Sequence, residues 1–183
     1  MHTQPSTKNE PAQDSSRQGF TLTELSIVIA VIGILAAIAV PSFITWLNNS
    51  RLRAASQELQ SDLQHAKSEA IKRNKHVVVI LTPANCLPAV PAAGGGYTIF
   101  ADDGTVPGGI AKNNIQEGSE PSLLQVSMPT GVAICAETFT GTTTGFLPTG
   151  YPIAFNSGTV TLQNNHGRAY TVTLNVAGNI TLD

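Results

Sequence analysis

The chain has 183 residues, 42% of them hydrophobic and only 12% charged, enough for one folded domain beside an apolar segment and little more. Its 10 basic side chains face 12 acidic ones, so the total charge marks neither a nucleic-acid-binding nor a polyacidic chain. Four scattered histidines (His2, His65, His76 and His166) lack zinc-ligand spacing, and no nucleophile elbow, phosphate loop or paired catalytic carboxylates stand out. An enzyme is not expected, nor is a bound cofactor or metal.

Residues 1–19 are polar, contain Pro5 and Pro11 and show no apolar periodicity, the composition of a disordered leader. The next stretch, GFTLTELSIVIAVIGILAAIAVPSF from Gly19 to Phe43, is apolar almost throughout. From Leu25 to Val40 only Ser26 and Gly33 are neither aliphatic nor alanine, and with Phe20, Phe43 and Ile44 the run reaches the roughly 20 residues a bilayer core requires of a helix. Glu24 breaks the pattern. An ionised carboxylate costs about 2.5–3.5 kcal/mol at the membrane centre and less near an interface, so Glu24 demands a partner. A cut between Gly19 and Phe20 would create one, because the new amino terminus would lie one helical turn away. A secretory signal cut after Ala39 fits a small-x-small site but leaves Glu24 and the weakly charged flank unexplained; a plain single-pass anchor has no use for Gly19-Phe20 and Glu24 at this spacing.

After Pro41, where a kink or a melted turn is expected, helical spacing resumes. Leu52, Ala55, Leu59, Leu63, Ala66 and Ala70 draw one apolar stripe. Glu69 and Arg73 stand four apart in the favourable order, Lys72, Arg73 and Lys75 crowd the carbonyl end, and Asn74 is the terminator. From His76 the period changes to two. His76–Thr82 is apolar on both faces, the pattern of a buried strand; Tyr97–Ala101, Leu123–Met128, Val132–Ala136 and Ile153–Phe155 follow as strands. Thr159–Gln163, Ala169–Val176 and Ile180–Leu182 form an antiparallel meander with turns at Asn164–Gly167 and Ala177–Asn179. The segments Pro83–Gly96 and Asp102–Glu120 are Pro/Gly-rich loops. The predicted fold class is α+β, an antiparallel sheet packed on the exposed half of one long helix.

The amino-terminal constellation resembles the type IV pilin signal: a polar leader ending in glycine, then phenylalanine, then glutamate at the fifth position after the cut, then a hydrophobic helix, here carried by Gly19, Phe20, Thr21, Leu22, Glu24 and Pro41. The second half resembles the H-type minor pseudopilins (GspH) of type II secretion and the FimT-type minor pilins, through LQSDLQHAKSEAIKRNKHVVVIL, Gly96 to Asp102 and GTVTLQNNHGRAYTVTLNVAGNI. The leader is long for the family, and Tyr97 stands where tryptophan is frequent.

The resemblance implies the pilin fold, with 1–19 a cleaved leader, 20–44 the transmembrane and filament-core half of the helix, 45–75 its exposed half and 76–183 the β domain. It implies cleavage at Gly19–Phe20 by a prepilin peptidase, methylation of the new terminus and an assembly role for Glu24. The implied partners are other pilin or pseudopilin subunits and an inner-membrane assembly platform. The implied location is the bacterial inner membrane with the carboxy-terminal domain in the periplasm, then the pilus or pseudopilus. The expected role is non-enzymatic, at or near the filament tip or in initiating assembly, with a FimT-like DNA-binding minor pilin for natural transformation or a membrane-anchored periplasmic domain that does not polymerise as the alternatives. Cys86 and Cys135 then lie in an exported domain where thiols are oxidised, consistent with one disulfide worth at most about 4 kcal/mol by loop entropy.

Two features stand apart. Asp102, Asp103 and Gly104 have the look of a calcium loop but lack its alternating acids, so a polar turn is the simpler reading. The turn Asn164–Arg168 carries half of the Gly-Arg-x-Arg pattern associated with FimT-like DNA-uptake proteins: Gly167 and Arg168 fit, and Tyr170 replaces the second arginine. Residues 76–183 hold two basic side chains, Lys112 and Arg168, against six acids, so DNA is not an expected partner.

Overall fold

The computed structural model describes residues 19–84, 86, 94–103, 112–117 and 120–183; residues 1–18 and parts of both Pro/Gly-rich loops lie outside them. The chain divides into two units, Met1–Pro41 and Ser42–Asp183. One helix, α1 (Leu22–Arg73), begins in the first unit and ends in the second.

In the first unit α1 opens on Thr21, whose carbonyl accepts the first helical bond from Leu25 N–H at 3.1 Å. The apolar side chains that follow, from Leu25 through Val40, are exposed. Helical structure continues through Gly33 and Pro41, so the melted turn expected at the proline does not form. A proline removes one backbone donor, and long helical flanks hold their conformation across a single missing bond.

In the second unit α1 buries the predicted stripe, with Leu52, Ala55, Leu59, Leu63, Ala66 and Ala70 all at or below 2% exposure. It ends in a Schellman motif. Asn74 adopts φ 54°, its N–H donates to the Ile71 carbonyl, and Lys75 N–H reaches back to Ala70, each at 3.3 Å. Asparagine tolerates the left-handed conformation this cap requires, which is why it terminates the helix.

The β portion is two four-stranded antiparallel sheets where the sequence suggested one. The first has the order β3 (Ser122–Ser127), β2 (Gly96–Asp102), β1 (His76–Thr82), β5 (Thr143–Phe146). The second has the order β4 (Val132–Glu137), β6 (Gly158–Asn164), β7 (Ala169–Leu174), β8 (Ile180–Leu182). Strand β1 is central, and its two apolar faces are used: Val77, Val79 and Leu81 join the main core, while Val78 is equally buried on the opposite side. The same core takes Val132, Ile134, Val160, Leu162, Val172 and Leu174 from the second sheet and the stripe of α1. Both sheets therefore share one hydrophobic centre with the helix.

Two strand expectations need correction, and one strand lies where none was expected. Ile153–Phe155 is a 3₁₀ turn with Ala154 at φ 53°; Pro152 before it has no N–H for a ladder and makes only an isolated bridge to Phe146. Strand β5 was hidden in a Thr/Gly-rich segment, where Gly145 is needed because any Cβ would press on the Val77 carbonyl and Ile153 Cδ1. Strand β7 stops at Leu174, because the Asn175 side-chain carbonyl accepts the N–H groups of Ala177 and Asn179 and turns the chain, leaving Val176 exposed.

Polar clasps tie α1 to both sheets. Tyr97 Oη on β2 donates to Asp62 Oδ2 at 2.5 Å. Lys67 Nζ donates to the Gly178 carbonyl at 2.9 Å, and Asn164 Nδ2 donates to Asn49 Oδ1 at 2.9 Å. Burial and the bond to Asp62 raise the Tyr97 pKa far above that of a free phenol, so the side chain remains a donor. Near the helix end, hydrogen bonds from Arg73 and Lys72 hold the Glu69 carboxyl below its usual pKa against the opposing effect of burial.

Candidate functional site

Gly19, Phe20 and Glu24 fall at the start of the described chain. Gly19 has no atom within 4 Å of where a Cβ would stand and no positive φ, so nothing in the described fold requires glycine there. Phe20 is 85% exposed. Glu24 occupies the first turn of α1, where its Oε2 accepts from Thr21 N–H at 3.4 Å and Thr21 Oγ1 accepts from Glu24 N–H at 3.2 Å. This reciprocal pair is a capping box, a feature outside the sequence-based expectations although the spacing Thr21-x-x-Glu24 carries its signal. It gives the anomalous acid a local role, since a carboxylate at a helix amino terminus satisfies an orphan donor and complements the dipole. Among the described residues α1 is the one helix long and apolar enough to cross a membrane, by length and composition.

Cys86 and Cys135 are joined, with Sγ–Sγ 2.04 Å and Cα–Cα 5.3 Å. The bond does not act alone. Ala84 N–H donates to the Ile134 carbonyl at 2.8 Å and Gly94 N–H to the Val132 carbonyl at 3.3 Å, so both ends of the β1–β2 connection lie along β4. Cys135 sits at the irregularity of β4 between Ile134 and Ala136.

The Asp102–Asp103 pair is spent on internal contacts. Asp102, 2% exposed, accepts the backbone N–H groups of Lys112 at 2.6 Å and Asn114 at 2.8 Å. Asp103 forms an ion pair with Lys75 at 2.8 Å. Glu120, also buried, accepts from Asp103 and Glu117 N–H, so carboxylates from two positions hold the backbone of Asp103, Lys112, Asn114 and Glu117. Gly104 lies outside the described residues. No group of three His, Cys, Asp or Glu side chains among those described is close enough to hold a metal.

Arg168 is placed on the exposed β6–β7 turn, with its guanidinium 5.5 Å from the Tyr170 ring centre and Nη2 donating to Tyr170 Oη at 3.3 Å. The buried Asn164 organises that turn: its Oδ1 accepts from the N–H of His166 and of Arg168, both at 3.0 Å, and its Nδ2 holds Asn49 of α1. Tyr170, in the place of a second arginine, thus engages Arg168 through its hydroxyl and its ring.

A long amino-terminal helix with an exposed apolar half, a capped glutamate in its first turn and an antiparallel β domain sharing a core with its second half define a pilin-like subunit. The sequence pattern of the prokaryotic N-terminal methylation motif matches residues 14–40, and that of the type II transport protein GspH matches residues 55–178. The chain belongs to the GspH family, whose members are structural subunits of the type IV pilin and type II secretion kind rather than enzymes.

A fimbrial protein of Pseudomonas aeruginosa is 36% identical over 101 residues, which is 55% of this chain and 59% of that protein. The type IV major alpha-pilin of Moraxella bovis is 51% identical over 45 residues, 25% of this chain and 28% of that one. The type IV minor pilin FimU of Pseudomonas aeruginosa aligns in structure with TM-score 0.48 and 18% identity, covering 75% of this chain and 92% of FimU. The match to the fimbrial relatives spans 59% of their length.

Proposed function

We propose that the protein is a minor pilin or pseudopilin that waits in the inner membrane and is then built into a filament, at or near its tip or as an initiator of assembly. In this reading a prepilin peptidase cuts after Gly19, the new amino group of Phe20 is methylated, and residues 20–44 hold the subunit in the bilayer with residues 45–183 in the periplasm. An assembly platform then moves the subunit into a type II secretion pseudopilus or a type IV pilus. Extraction from lipid is tolerable because the apolar surface from Leu25 to Ile44 is reburied against neighbouring helices instead of meeting water, at about 25 cal/mol per Å².

The observation that carries the reading is the methylation motif running directly into an exposed apolar helix that begins with a capped glutamate. Glu24 serves first as a cap, which lowers its cost in an interface, and then as a register element. In the filament its carboxylate meets the amino terminus of the adjacent subunit, and a buried charge with one allowed partner specifies alignment.

The test is incorporation. Wild-type chain and the Glu24→Ala and Glu24→Gln variants are expressed beside the filament machinery, and the sheared filament fraction is probed for each. Cleavage should persist in all three while incorporation falls in both variants; equal incorporation of Glu24→Ala would remove the register role.

A further inference from the structure

The β6–β7 turn and the first turns of α1 beyond Pro41 are brought together by two side-chain bonds, Asn164 Nδ2 to Asn49 Oδ1 at 2.9 Å and Asn48 Nδ2 to His166 Nδ1 at 3.4 Å. This places Arg168 at the level of helix residues 48–49. On α1 the exposed aromatics Phe43 and Trp46 lie with ring centres 5.8 Å apart, and the exposed Arg51 and Arg53 follow within two turns. No acidic residue stands between Glu24 and Glu58, and none lies between Asn164 and Tyr170. Neither Arg51 nor Arg53 forms an ion pair among the described residues. The result is an aromatic and basic collar assembled from two distant parts of the sequence.

We propose that Phe43, Trp46, Arg51, Arg53 and Arg168 form a docking surface for anionic phospholipid headgroups, which seats the globular part on the outer face of the bilayer before assembly. The proposal rests on the reading that residues 20–44 span the membrane. At 1.5 Å per residue, Trp46 lies about 3 Å and Arg51 about 10 Å beyond Ile44 along the helix. Those heights bracket a headgroup layer of roughly 5–8 Å, the difference between hydrocarbon and full bilayer thickness shared by two leaflets. Aromatic rings belong at that boundary, and arginine stems extend along apolar surface to deliver the cation to phosphate. The bond to Tyr170 Oη and the contact with its ring orient the Arg168 guanidinium, and among the described residues one of its five N–H donors is engaged by a side chain. Duplex DNA offers the same phosphate chemistry, but Arg51 and Arg53 directly follow exposed aromatics on a helix that is apolar up to Ile44, which suits lipid.

The test uses the full chain reconstituted into phosphatidylcholine vesicles with and without phosphatidylglycerol. Trp46 is the sole tryptophan, so its quenching by brominated lipids reports depth directly; quenching should be strongest for bromines near the headgroups. Amide exchange across residues 165–169 should slow about fivefold with phosphatidylglycerol, the factor equivalent to about 1 kcal/mol for one basic side chain near an anionic surface. Arg168→Gln should lose the slowing and Arg168→Lys should keep most of it. Equal exchange in both vesicles, or slowing by duplex DNA at physiological salt without slowing by phosphatidylglycerol, would overturn the proposal. Flotation separates the two layers of the argument: a chain that does not float with the vesicles contradicts the membrane reading and the collar together, whereas one that floats with unchanged exchange contradicts the collar alone.

Discussion

Replacing Tyr97 with phenylalanine isolates the clasp between α1 and β2. Tyr97 is 2% exposed and its hydroxyl donates to Asp62 Oδ2 at 2.5 Å, 35 residues earlier in the chain. A hydrogen bond to a charged acceptor contributes about 1.5–3 kcal/mol. Asp62 is only half-buried and can turn to water when its donor is gone, so the loss should fall near the lower figure, about 1.5 kcal/mol. For a domain of this size that lowers Tm by roughly 3–6 °C. The pH dependence supplies a second, sharper signature. Because the folded-state pKa of Tyr97 is raised, the folded state keeps a proton that the unfolded chain releases above pH 10. The stability is therefore fully present below about pH 10 and is lost as pH rises beyond it, at up to about 1.4 kcal/mol per pH unit. Thermal melts of the full chain in detergent, followed by circular dichroism at pH 7, 9, 10 and 11, compare wild type with Tyr97→Phe. The two proteins should differ most at pH 7 and converge at alkaline pH. A constant difference from pH 7 to pH 11 would refute the reasoning, since the hydroxyl would then titrate as it does in the unfolded chain.

Other consequences are as direct. Leu59→Ala, at a position with no exposed surface in the shared core, should cost about 2–5 kcal/mol in denaturant unfolding, whereas Ile71→Ala on an exposed face of the same helix should cost far less. Reducing Cys86–Cys135, which are separated by 49 residues, should lower stability by up to about 4 kcal/mol; thiol labelling of the denatured, unreduced chain should find no free cysteine. Asp102→Ala leaves the N–H groups of Lys112 and Asn114 without their shared acceptor and should raise amide exchange across residues 112–117, while β4 and β6 remain protected.

The parts of the fold written in local periodicity were legible. The stripe Leu52–Ala70 predicted the buried face of α1, the two-sided apolar run His76–Thr82 predicted a buried strand, and Asn74 predicted the helix end. Features that depend on remote partners were not. Strand β5 exists because Gly145 lets the chain approach β1 closely, and its sequence alone reads as a loop. The division into two sheets follows from which strands share a ladder, and alternation within single strands carries no such information. At the amino terminus, Gly19, Phe20 and Glu24 carry the resemblance to a processing signal in local sequence, and the cap formed by Thr21 is equally local in the spacing Thr21-x-x-Glu24. The collar, by contrast, was invisible. Trp46 and Arg168 are 122 positions apart, and the Asn49–Asn164 bond that aligns their segments is a tertiary contact.

In the proposed reading the leader is removed at Gly19–Phe20 before residues 20–44 enter a filament. Intact-mass analysis of the chain recovered from membranes of cells with and without an active prepilin peptidase tests it most directly. With the peptidase, the account predicts a chain that begins at Phe20 and carries one added methyl group; without it, residues 1–19 remain. A chain that begins at Val40, or that keeps its leader in the presence of active peptidase, would contradict the account.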